Sequence, residues 1–460
     1  MPEGPEVEVV KQSLTKLILN HTIKEVIVNH PPIVSNDLEF ETKLIGQKFL
    51  EIKRKGKFLI FILTNNVLIS HLRMEGKYQY QKSTNQYRKH DYVIFKLDNG
   101  YDLIFNDTRK FGRFILQSFN YETIEPIINV AEAPETIDPN ILFQKFSKTN
   151  RAIKEVLLDQ RIISEIGNIY ASEILYHCQI HPTMPAKLVT LTQTKKIIEV
   201  ATKVLSDSIK HGGSTVDSYE SMVGTIGTYQ NELKVYGKQG QPCANEGIVY
   251  KFQLKGRGTY ACSSLQKHYI IGITGGVATG KSTMVTYLRE KGYEVIDSDE
   301  IVRKIYQTPY HINQISSLLK MPLVNNELDK KQIAELVFND QEKLKQLDGY
   351  VHPVVFEEIE KLKQLSEHYF IFIEMPLLFE TNYQVNCDQV IVIDAAVETQ
   401  IERLIKRNHY SEALAKQVVN NQLGRIEKIK LADIVISNNK DYESFIEEIN
   451  NYLLTNFKGK

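Results

Sequence analysis

Short, largely hydrophobic runs of four to eight residues, separated by polar turns, dominate the chain between about residues 20 and 118. The runs are rich in Ile, Val, Phe and Tyr, and turn-forming segments such as TNN and DNG separate them. This pattern predicts antiparallel strands in a sandwich or barrel. The runs are FLIFIL (58–63), VLISHL (67–72), YVIFKL (92–97) and YDLIFN (101–106).

Helical periodicity flanks this region. Residues 3–19 place apolar side chains at Val7, Val10 and Leu14, which predicts an amphipathic helix. Residues 139–211 also have a helical pattern, and 248–262 resemble a polar hairpin.

The rest of the chain alternates apolar strands with amphipathic segments, which is typical of a parallel α/β sheet. The strands are YIIGIT (269–274), EVID (294–297), FIFIEM (370–375) and QVIVIDA (389–395). No linker separates this part from the first, so the boundary is expected at residue 267 or 268.

Charge divides the chain in the same way. Residues 1–267 carry 34 basic and 28 acidic side chains, and residues 268–460 carry 22 and 28, so the net charge of zero conceals two halves of opposite sign. The first half suits a polyanion, although ordinary variation in surface charge is an equal explanation. No apolar stretch is long enough to cross a membrane, the N-terminus lacks a secretory signal, and four cysteines are too few for a disulfide scaffold. These features predict a cytoplasmic protein without a membrane partner.

The strongest local motif is GGVATGKS, from Gly275 to Ser282, between a predicted strand and a predicted helix. In such a loop, backbone N–H groups surround phosphates, Lys281 neutralises their charge, and the Ser282 hydroxyl holds Mg²⁺. Two carboxylates, Asp297 and Asp299, follow the next strand. One of them could accept the proton of an attacking hydroxyl, or either could simply cap the following helix.

The order of motifs in residues 268–460 resembles dephospho-CoA kinase. The shared segments are GITGGVATGKST, DSDEIVRKI, VHPVV (351–355), EMPLLFE (374–380) and QLGRIEKIKLADIVISNN (422–439). The resemblance implies a P-loop kinase that uses ATP and Mg²⁺ to phosphorylate the 3′-hydroxyl of dephospho-CoA, giving CoA. This sequence departs from the family pattern at Ser437, and at Ala278 and Thr279. A nucleoside-monophosphate kinase is the alternative, which the LADIVISNN segment opposes.

By this resemblance Asp299 is the base and Asp297 its neighbour. Arg403, Arg407 and Arg425 are lid or phosphate contacts. His352 with Pro353 forms a His-Pro turn in the acceptor region. The expected ATP-binding residues are Gly275, Ala278, Thr279, Gly280, Lys281, Ser282, Thr283 and Arg425; those for the CoA substrate are Asp297, His352, Arg403 and Arg407.

The extreme N-terminus offers a second chemistry. Pro2 and the acids after it suit the first turn of a helix, which is the ordinary explanation. If Met1 is removed, however, Pro2 presents an amine with a pKa near 8 that could attack a sugar carbon. Basic runs with aromatic neighbours, KRKGK (53–57) and NDTRKFGR (106–113), suggest DNA contacts, although each could be a solvated loop.

Residues 1–267 resemble formamidopyrimidine-DNA glycosylase. The shared segments are PEGPEVE (2–8), GKFLIF (56–61), LISHLRMEGK (68–77), KHDYVIF (89–95), NDTRKFGR, LLDQRIISEIGNIYASEILYHCQIHP (157–182), YQNELKVYGKQGQPC (229–243) and GRGTY (256–260). The resemblance implies a base-excision repair enzyme for damaged double-stranded DNA that removes oxidised purines and then cleaves the strand by β,δ-elimination. It also implies a β-sandwich (1–130), a helix–two-turn–helix domain (131–225) and a finger (226–267), followed by the kinase (268–460).

In that family pattern, Pro2 is the nucleophile and Glu3 the general acid, supported by Glu6. Lys57 and Arg257 are the acids for β- and δ-elimination. The segment 225–230 closes over the extruded base. The expected DNA-binding residues are Met74, His90, Arg109, Phe111, Arg151 and Asn168.

Two departures weaken this resemblance. The family's four-cysteine zinc finger retains Cys243 and Cys262, but Glu246 and Leu265 replace the other two ligands, which predicts a metal-free hairpin that still presents Arg257. Glu165 stands where the family prefers glycine, and its charge is expected to weaken the grip on DNA. The sequence thus predicts a bifunctional glycosylase and kinase. The alternative is an active kinase joined to a DNA-binding or docking module without excision activity.

Overall fold

The computed structural model describes residues 2–35, 37–84, 86–123, 125–214, 227–323 and 327–457, without the side chains of Lys330 and Phe338. The chain divides into two compact units. One runs to Gln266, and the other begins at Lys267 and also includes Lys251–Leu254.

The first unit begins with α1 (Gly4–Ile18) and two four-stranded antiparallel sheets. One sheet has the order β1-β6-β7-β5 and the other β2-β3-β4-β8. The aromatic and aliphatic side chains of both sheets form one core with α1, so the predicted sandwich and opening helix are confirmed. The strands are β1 (Ile23–Val28), β2 (Phe49–Lys55), β3 (Phe58–Leu63), β4 (Val67–His71), β5 (Lys77–Lys82), β6 (Asp91–Leu97), β7 (Tyr101–Asn106) and β8 (Arg113–Gln117), with the short helix α2 (Phe40–Leu44) after β1.

A helical region follows, as predicted, and it surrounds one central helix. That helix, α5, buries most of its residues, including Tyr170 and Ile174, because the other helices and the preceding loop pack around it. The helices are α3 (Pro139–Ser147), α4 (Ile153–Leu157), α5 (Asn168–Cys178) and α6 (Leu191–Lys210). The predicted hairpin is present as β9 (Val249–Leu254) and β10 (Arg257–Cys262).

The second unit contains a five-stranded parallel sheet with the order β12-β13-β11-β14-β15. Helices pack against it in two apolar clusters, which confirms the predicted α/β architecture. The strands are β11 (Tyr269–Gly275), β12 (Glu294–Asp297), β13 (Phe370–Glu374), β14 (Gln389–Asp394) and β15 (Ile434–Ser437). The helices are α7 (Lys281–Glu290), α8 (Ser298–Ile305), α9 (Pro309–Leu319), α10 (Lys330–Asn339), α11 (Gln341–Leu365), α12 (Val397–Asn408), α13 (Glu412–Asn420), α14 (Arg425–Leu431) and α15 (Tyr442–Asn456).

The prediction of a His-Pro turn at His352 and Pro353 is wrong. Pro353 lies inside the continuous helix α11, and His352 precedes it on the same helix. A proline inside a helix costs about 3 kcal/mol or more because it removes a hydrogen bond and crowds the preceding turn. The helix persists because apolar side chains at helical spacing, Val351, Val355 and Ile359, are buried on one face.

Candidate active sites

The N-terminal turn of α1 buries two carboxylates, Glu3 and Glu6, which are only 2% and 4% exposed. Glu6 Oε2 accepts the Glu3 backbone N–H at 2.8 Å. Glu6 Oε1 accepts the Ser214 N–H at 2.8 Å and the Tyr170 hydroxyl at 2.6 Å. Glu6 is therefore a structural anchor that fixes the position of the first residues of the chain.

Glu3 lies against the start of α5. Its Oε1 accepts the Ile169 N–H at 3.0 Å, and its Oε2 accepts the Tyr170 N–H at 3.4 Å. Gly167 is required beside it, since a Cβ there would lie 2.1 Å from the Glu3 carboxyl carbon. Burial raises the pKa of Glu3, and the positive charge of Lys57 opposes this shift. Glu3 thus retains a proton to higher pH than an ordinary glutamate and can act as an acid.

Lys57 lies in the turn between β2 and β3 and is 7% exposed. Its Nζ donates to the carbonyl of Ile166 at 2.9 Å. Burial lowers the pKa of Lys57, whereas the carboxylates of Glu3 and Glu6 act to raise it. The sequence-predicted Glu3, Glu6 and Lys57 are therefore brought together in one buried, electrostatically coupled group.

The hairpin presents Arg257 as the exposed first residue of β10. The two residues after Arg257 contact the helical region. Asn168 Nδ2 donates to the Gly258 carbonyl at 3.1 Å, and Lys154 Nζ donates to Thr259 Oγ1 at 3.0 Å. Asn168, expected to contact DNA, thus holds the hairpin. Sequence reasoning missed Lys154, a buried lysine whose pKa burial lowers to about 7. The local sequence offered no clear signal, because Lys154 has the charged neighbour Glu155 in the same short helix.

Cys243 and Cys262 form a disulfide bond. Sequence reasoning treated them only as remaining zinc ligands and missed this pairing. A disulfide offers no thiolate to a metal, and the described part of the chain contains no group of three or more His, Cys, Asp or Glu residues that could hold one. The residues present therefore do not fit a zinc finger, and the disulfide fastens the hairpin base instead.

Three exposed side chains expected at the DNA interface lie on two neighbouring loops. Met74 follows β4, and Arg109 and Phe111 precede β8, with the guanidinium 5.1 Å from the Phe111 ring centre. A hydrogen bond from Thr108 to Glu75 joins the loops. The arrangement presents an apolar side chain and a cation together.

Two other expected DNA contacts already have protein partners. His90 Nδ1 lies 3.0 Å from the Tyr92 hydroxyl. Arg151 Nη1 donates to Asp159 Oδ2 at 3.0 Å, and the arginines around Asp159 lower the pKa of that carboxyl. In the segment 225–230, Thr225 and Ile226 lie outside the described residues.

Glu165 does not present its charge at the surface, contrary to the expectation. Its side chain is 8% exposed and pairs with the Arg54 guanidinium at 2.5 Å. The carboxylate is paired within the protein, and its expected effect on DNA binding stays a prediction.

In the second unit, the loop after β11 folds as a phosphate cradle. Gly280 has a φ of 107°, a conformation that favours glycine, and a Cβ there would lie 2.2 Å from Asn438 Nδ2. The helix α7 begins at Lys281, so its N-terminus faces the same space. A cavity of about 900 Å³ opens here; its lining includes Ala278, Thr279, Gly280, Lys281, Ser282, Thr283, Asp297, Asp299, Glu374, Arg403, Arg407 and Gln422.

Lys281 and Glu374 form the charged centre of this cavity. Lys281 Nζ donates to the carbonyls of Gly275 at 3.1 Å and Gly276 at 2.9 Å. Burial raises the pKa of Glu374 to about 7, and the charge of Lys281 opposes this shift. Sequence reasoning gave Glu374 no role, although its place at the carboxyl end of a central parallel strand was a usable signal.

The two aspartates after β12 have different positions. Asp297 caps α8 by accepting the Glu300 N–H at 3.0 Å, as the capping alternative predicted for one of the two. Asp299 lies in the first turn of α8 and faces the cavity. Burial, followed by the charge of Asp297, raises the pKa of Asp299, which favours its action as a proton acceptor at neutral pH.

The expected arginines and histidine do not share one site. Arg403 donates to the Ala278 carbonyl at 3.2 Å and the Asn438 carbonyl at 3.0 Å beside the cradle. Arg425 instead makes two hydrogen bonds to Asp394, at 2.6 and 2.7 Å, and lines a separate cavity of about 150 Å³. His352 is absent from the lining of both cavities among the residues that the structure describes.

Family models match the two units separately. Residues 1–114 match the formamidopyrimidine-DNA glycosylase N-terminal domain, residues 130–220 match its H2TH domain, and residues 269–444 match dephospho-CoA kinase. None of the helices in the described parts of the chain is long and apolar enough to span a membrane.

Individual relatives agree with the first two matches. The chain is 42% identical over 273 residues to formamidopyrimidine-DNA glycosylase of Mycoplasmopsis pulmonis, covering 58% of this chain and 98% of the relative. It is 41% identical to that of Bacillus cereus, covering 99% of the relative. The solved structure of the Lactococcus lactis Fpg with DNA containing an abasic site matches with a TM-score of 0.55 and 34% identity, over 58% of this chain and 99% of that one. The chain therefore belongs to the formamidopyrimidine-DNA glycosylase family and continues into a dephospho-CoA kinase domain.

Proposed function

We propose that the first unit is a DNA glycosylase and abasic-site lyase for oxidised purines such as 8-oxoguanine and formamidopyrimidines. The buried, proton-retaining Glu3 beside Lys57 is the observation that carries the proposal. Relatives support the substrate class, because structures of the Lactococcus lactis protein contain DNA with an abasic site or with Fapy-dG.

The proposed excision begins at the sugar. Once Met1 is removed, the Pro2 amine attacks C1′, the bond from C1′ to the damaged base breaks, and Glu3 donates its proton to the ring oxygen as the sugar opens. In the resulting Schiff base, loss of the C2′ proton to solvent expels the 3′-phosphate, and loss of the C4′ proton then expels the 5′-phosphate. Lys57 and Arg257 supply protons for these two eliminations.

The exposed loops provide the means to hold a flipped nucleotide out of the duplex. Extrusion of a base costs a few kcal/mol of stacking. Met74 and Phe111 can fill the vacated space, and the Arg109 cation can face the unpaired base or the backbone.

Borohydride trapping tests this function. Protein washed with a chelator is incubated with a duplex containing 8-oxoguanine opposite cytosine, and borohydride reduces any Schiff base to a stable covalent adduct. An adduct supports the glycosylase and lyase. Its absence, together with normal kinase turnover, favours the alternative of a DNA-binding or docking module without excision activity.

We further propose that the second unit phosphorylates the 3′-hydroxyl of dephospho-CoA. The residues fit ATP and Mg²⁺, because the glycine cradle, the start of α7 and the Ser282 hydroxyl all face the cavity. Mg²⁺-bound ATP supplies the transferred phosphoryl group. Lys281 holds the phosphate charge, Asp299 accepts the hydroxyl proton, and Arg403 and Arg407 stabilise the developing negative charge.

Coupled measurement of ADP release with dephospho-CoA as acceptor tests the kinase. Turnover with dephospho-CoA but not with nucleoside monophosphates supports the proposal. The reverse preference would identify the alternative class of kinase.

A further inference from the structure

Glu165 lies where three segments of the proposed glycosylase site meet. Its carbonyl accepts the Gly4 N–H at 3.0 Å, next to Glu3. Its carboxylate contacts Arg54 at 2.5 Å, three residues before Lys57. The next residue, Ile166, supplies the carbonyl that holds the Lys57 ammonium. One residue thus contacts the segments that carry the nucleophile, the acid and the lysine.

The Arg54–Glu165 pair is itself well fixed. Arg54 Nε also donates to Glu8 Oε2 at 2.8 Å, and its Nη1 donates to the Gly56 carbonyl at 2.9 Å. The guanidinium therefore joins α1, the turn that contains Lys57 and the loop at Glu165. Both partners are largely buried, at 11% and 8% side-chain exposure, so water screens this pair less than a surface ion pair.

The backbone of Glu165 shows why its side chain matters. Its φ is 75°, in the left-handed region, which carries a free-energy cost for a residue with a side chain. A glycine would adopt this conformation without that cost. The contacts of the Glu165 carboxylate offset the strain and hold the loop in place.

Two contacts join the same short segments, residues 54–57 and 164–166. Arg54–Glu165 forms one end and Lys57–Ile166 the other. Two contacts prevent the rotation of one segment against the other that a single contact would allow. This matters because a displacement of 1 Å in a catalytic group costs about 100-fold in rate. We propose that Glu165, paired with Arg54, is a positioning residue that fixes the Lys57 ammonium relative to the Pro2–Glu3 end of α1. This inference rests on the proposed glycosylase function.

Charge at Glu165 also acts on Lys57 directly. The charged groups that act on the Lys57 ammonium include Glu3 and Glu6 at the start of α1, Arg257 from β10 and Glu165 from its loop. The titratable His71 at the end of β4 also interacts with Lys57. The Glu165 carboxylate acts to raise the pKa of Lys57, against the effect of burial. Its removal lowers that pKa, so the lysine loses its proton at lower pH.

The test compares Glu165→Gln with Glu25→Gln in the full chain. Glu25 makes an ion pair with Lys96 at 2.9 Å but is half exposed, so it controls for loss of one carboxylate. The substrate is a duplex with a preformed abasic site, and the rate of β-elimination is measured in single turnover across pH. Affinity is measured with a tetrahydrofuran-containing duplex that cannot react.

Glu165→Gln is expected to slow β-elimination about 10-fold and to move the alkaline limb of the pH profile to lower pH. DNA affinity remains within about twofold, which also shows that the variant is folded, and Glu25→Gln matches the wild type. Arg54→Lys, which keeps a cation, retains part of the rate, and Arg54→Gln combined with Glu165→Gln loses no more than the worse single variant.

Each other outcome is informative. Tighter DNA binding by Glu165→Gln with an unchanged elimination rate would overturn the inference and restore the view that this charge opposes DNA. A slower rate with no pH shift and no rescue by Arg54→Lys would reduce Glu165 to a structural residue and also overturn it. If the wild type itself forms no borohydride adduct with the abasic duplex, the proposed glycosylase function is wrong, and the inference that rests on it is overturned as well.

Discussion

The Gln422 side chain occupies a hydrogen-bond donor of the phosphate cradle: its Oε1 accepts the Val277 backbone N–H at 2.9 Å. Backbone N–H groups at this place in a P-loop are the donors that surround phosphate. We therefore expect a phosphate that binds the Val277 N–H to displace Gln422.

Gln422→Ala should tighten ATP binding. The variant removes a competing hydrogen bond worth about 0.5–1.5 kcal/mol, which corresponds to about 2- to 10-fold in Kd. Titration calorimetry with a non-hydrolysable ATP analogue measures the change, and Gln417→Ala, on α13, serves as the control. Weaker binding by Gln422→Ala would show that Gln422 contacts the nucleotide rather than competes with it.

Lys281→Ala should reduce kinase turnover by about 100-fold or more, because the variant removes the cation at the transferred phosphate. Lys291→Ala removes a cation from the other end of α7, where it lies over Tyr287, and should leave turnover unchanged. Steady-state ADP release measures both. Full activity of Lys281→Ala would refute the P-loop assignment.

The pH profile of the kinase should contain a group that titrates near 7 in the free enzyme, since burial raises the pKa of Glu374 to about 7. Below that pH Glu374 is protonated and loses its attraction for Lys281. Glu374→Gln should remove this titration from the profile of kcat/KM, whereas Glu380→Gln should preserve it. An unchanged profile in Glu374→Gln would assign the titration to another group, such as Asp299.

Pro2→Gly should form no borohydride adduct with damaged or abasic DNA and should keep normal kinase turnover, because only the first unit uses the amine. Pro5→Gly changes a proline of α1 while leaving Pro2 intact, so it is the matched control for trapping. Retained trapping in Pro2→Gly would place the nucleophile elsewhere.

The Cys243–Cys262 disulfide should stabilise the hairpin that presents Arg257. It closes a loop with a sequence separation of 19 residues, for which chain entropy predicts about 3 kcal/mol. Replacement of both cysteines by serine should increase hydrogen exchange in residues 249–262 and slow δ-elimination more than adduct formation. A reducing agent should reproduce these effects in the wild type and have none in the double variant.

Much of the architecture was predictable because its signals are local. The runs rich in Ile, Phe and Tyr at Phe58–Leu63 and Tyr101–Asn106 gave strands with those bounds, and the glycines and Lys281 located the cradle. Distant pairing was harder to predict. Nothing near Glu165 in the sequence indicates that Arg54, 111 residues away, neutralises it.

The difficulty of predicting long-range contacts also explains two other predictions that differ from the structure. Pro353 normally favours a break, but tertiary burial along α11 outweighs that local preference. Cys243 and Cys262 were interpreted through a four-ligand pattern, whereas two cysteines close in space have a simpler way to cross-link.

The position of Glu3 at the start of α5 has a consequence for its acidity. When Glu3 releases its proton, the new negative charge lies against two backbone N–H groups and the positive end of a helix dipole. Those interactions favour the conjugate base, while burial favours the acid. The fold thus balances the two forms of one carboxyl group, so that a proton held tightly at rest can be released at low free-energy cost.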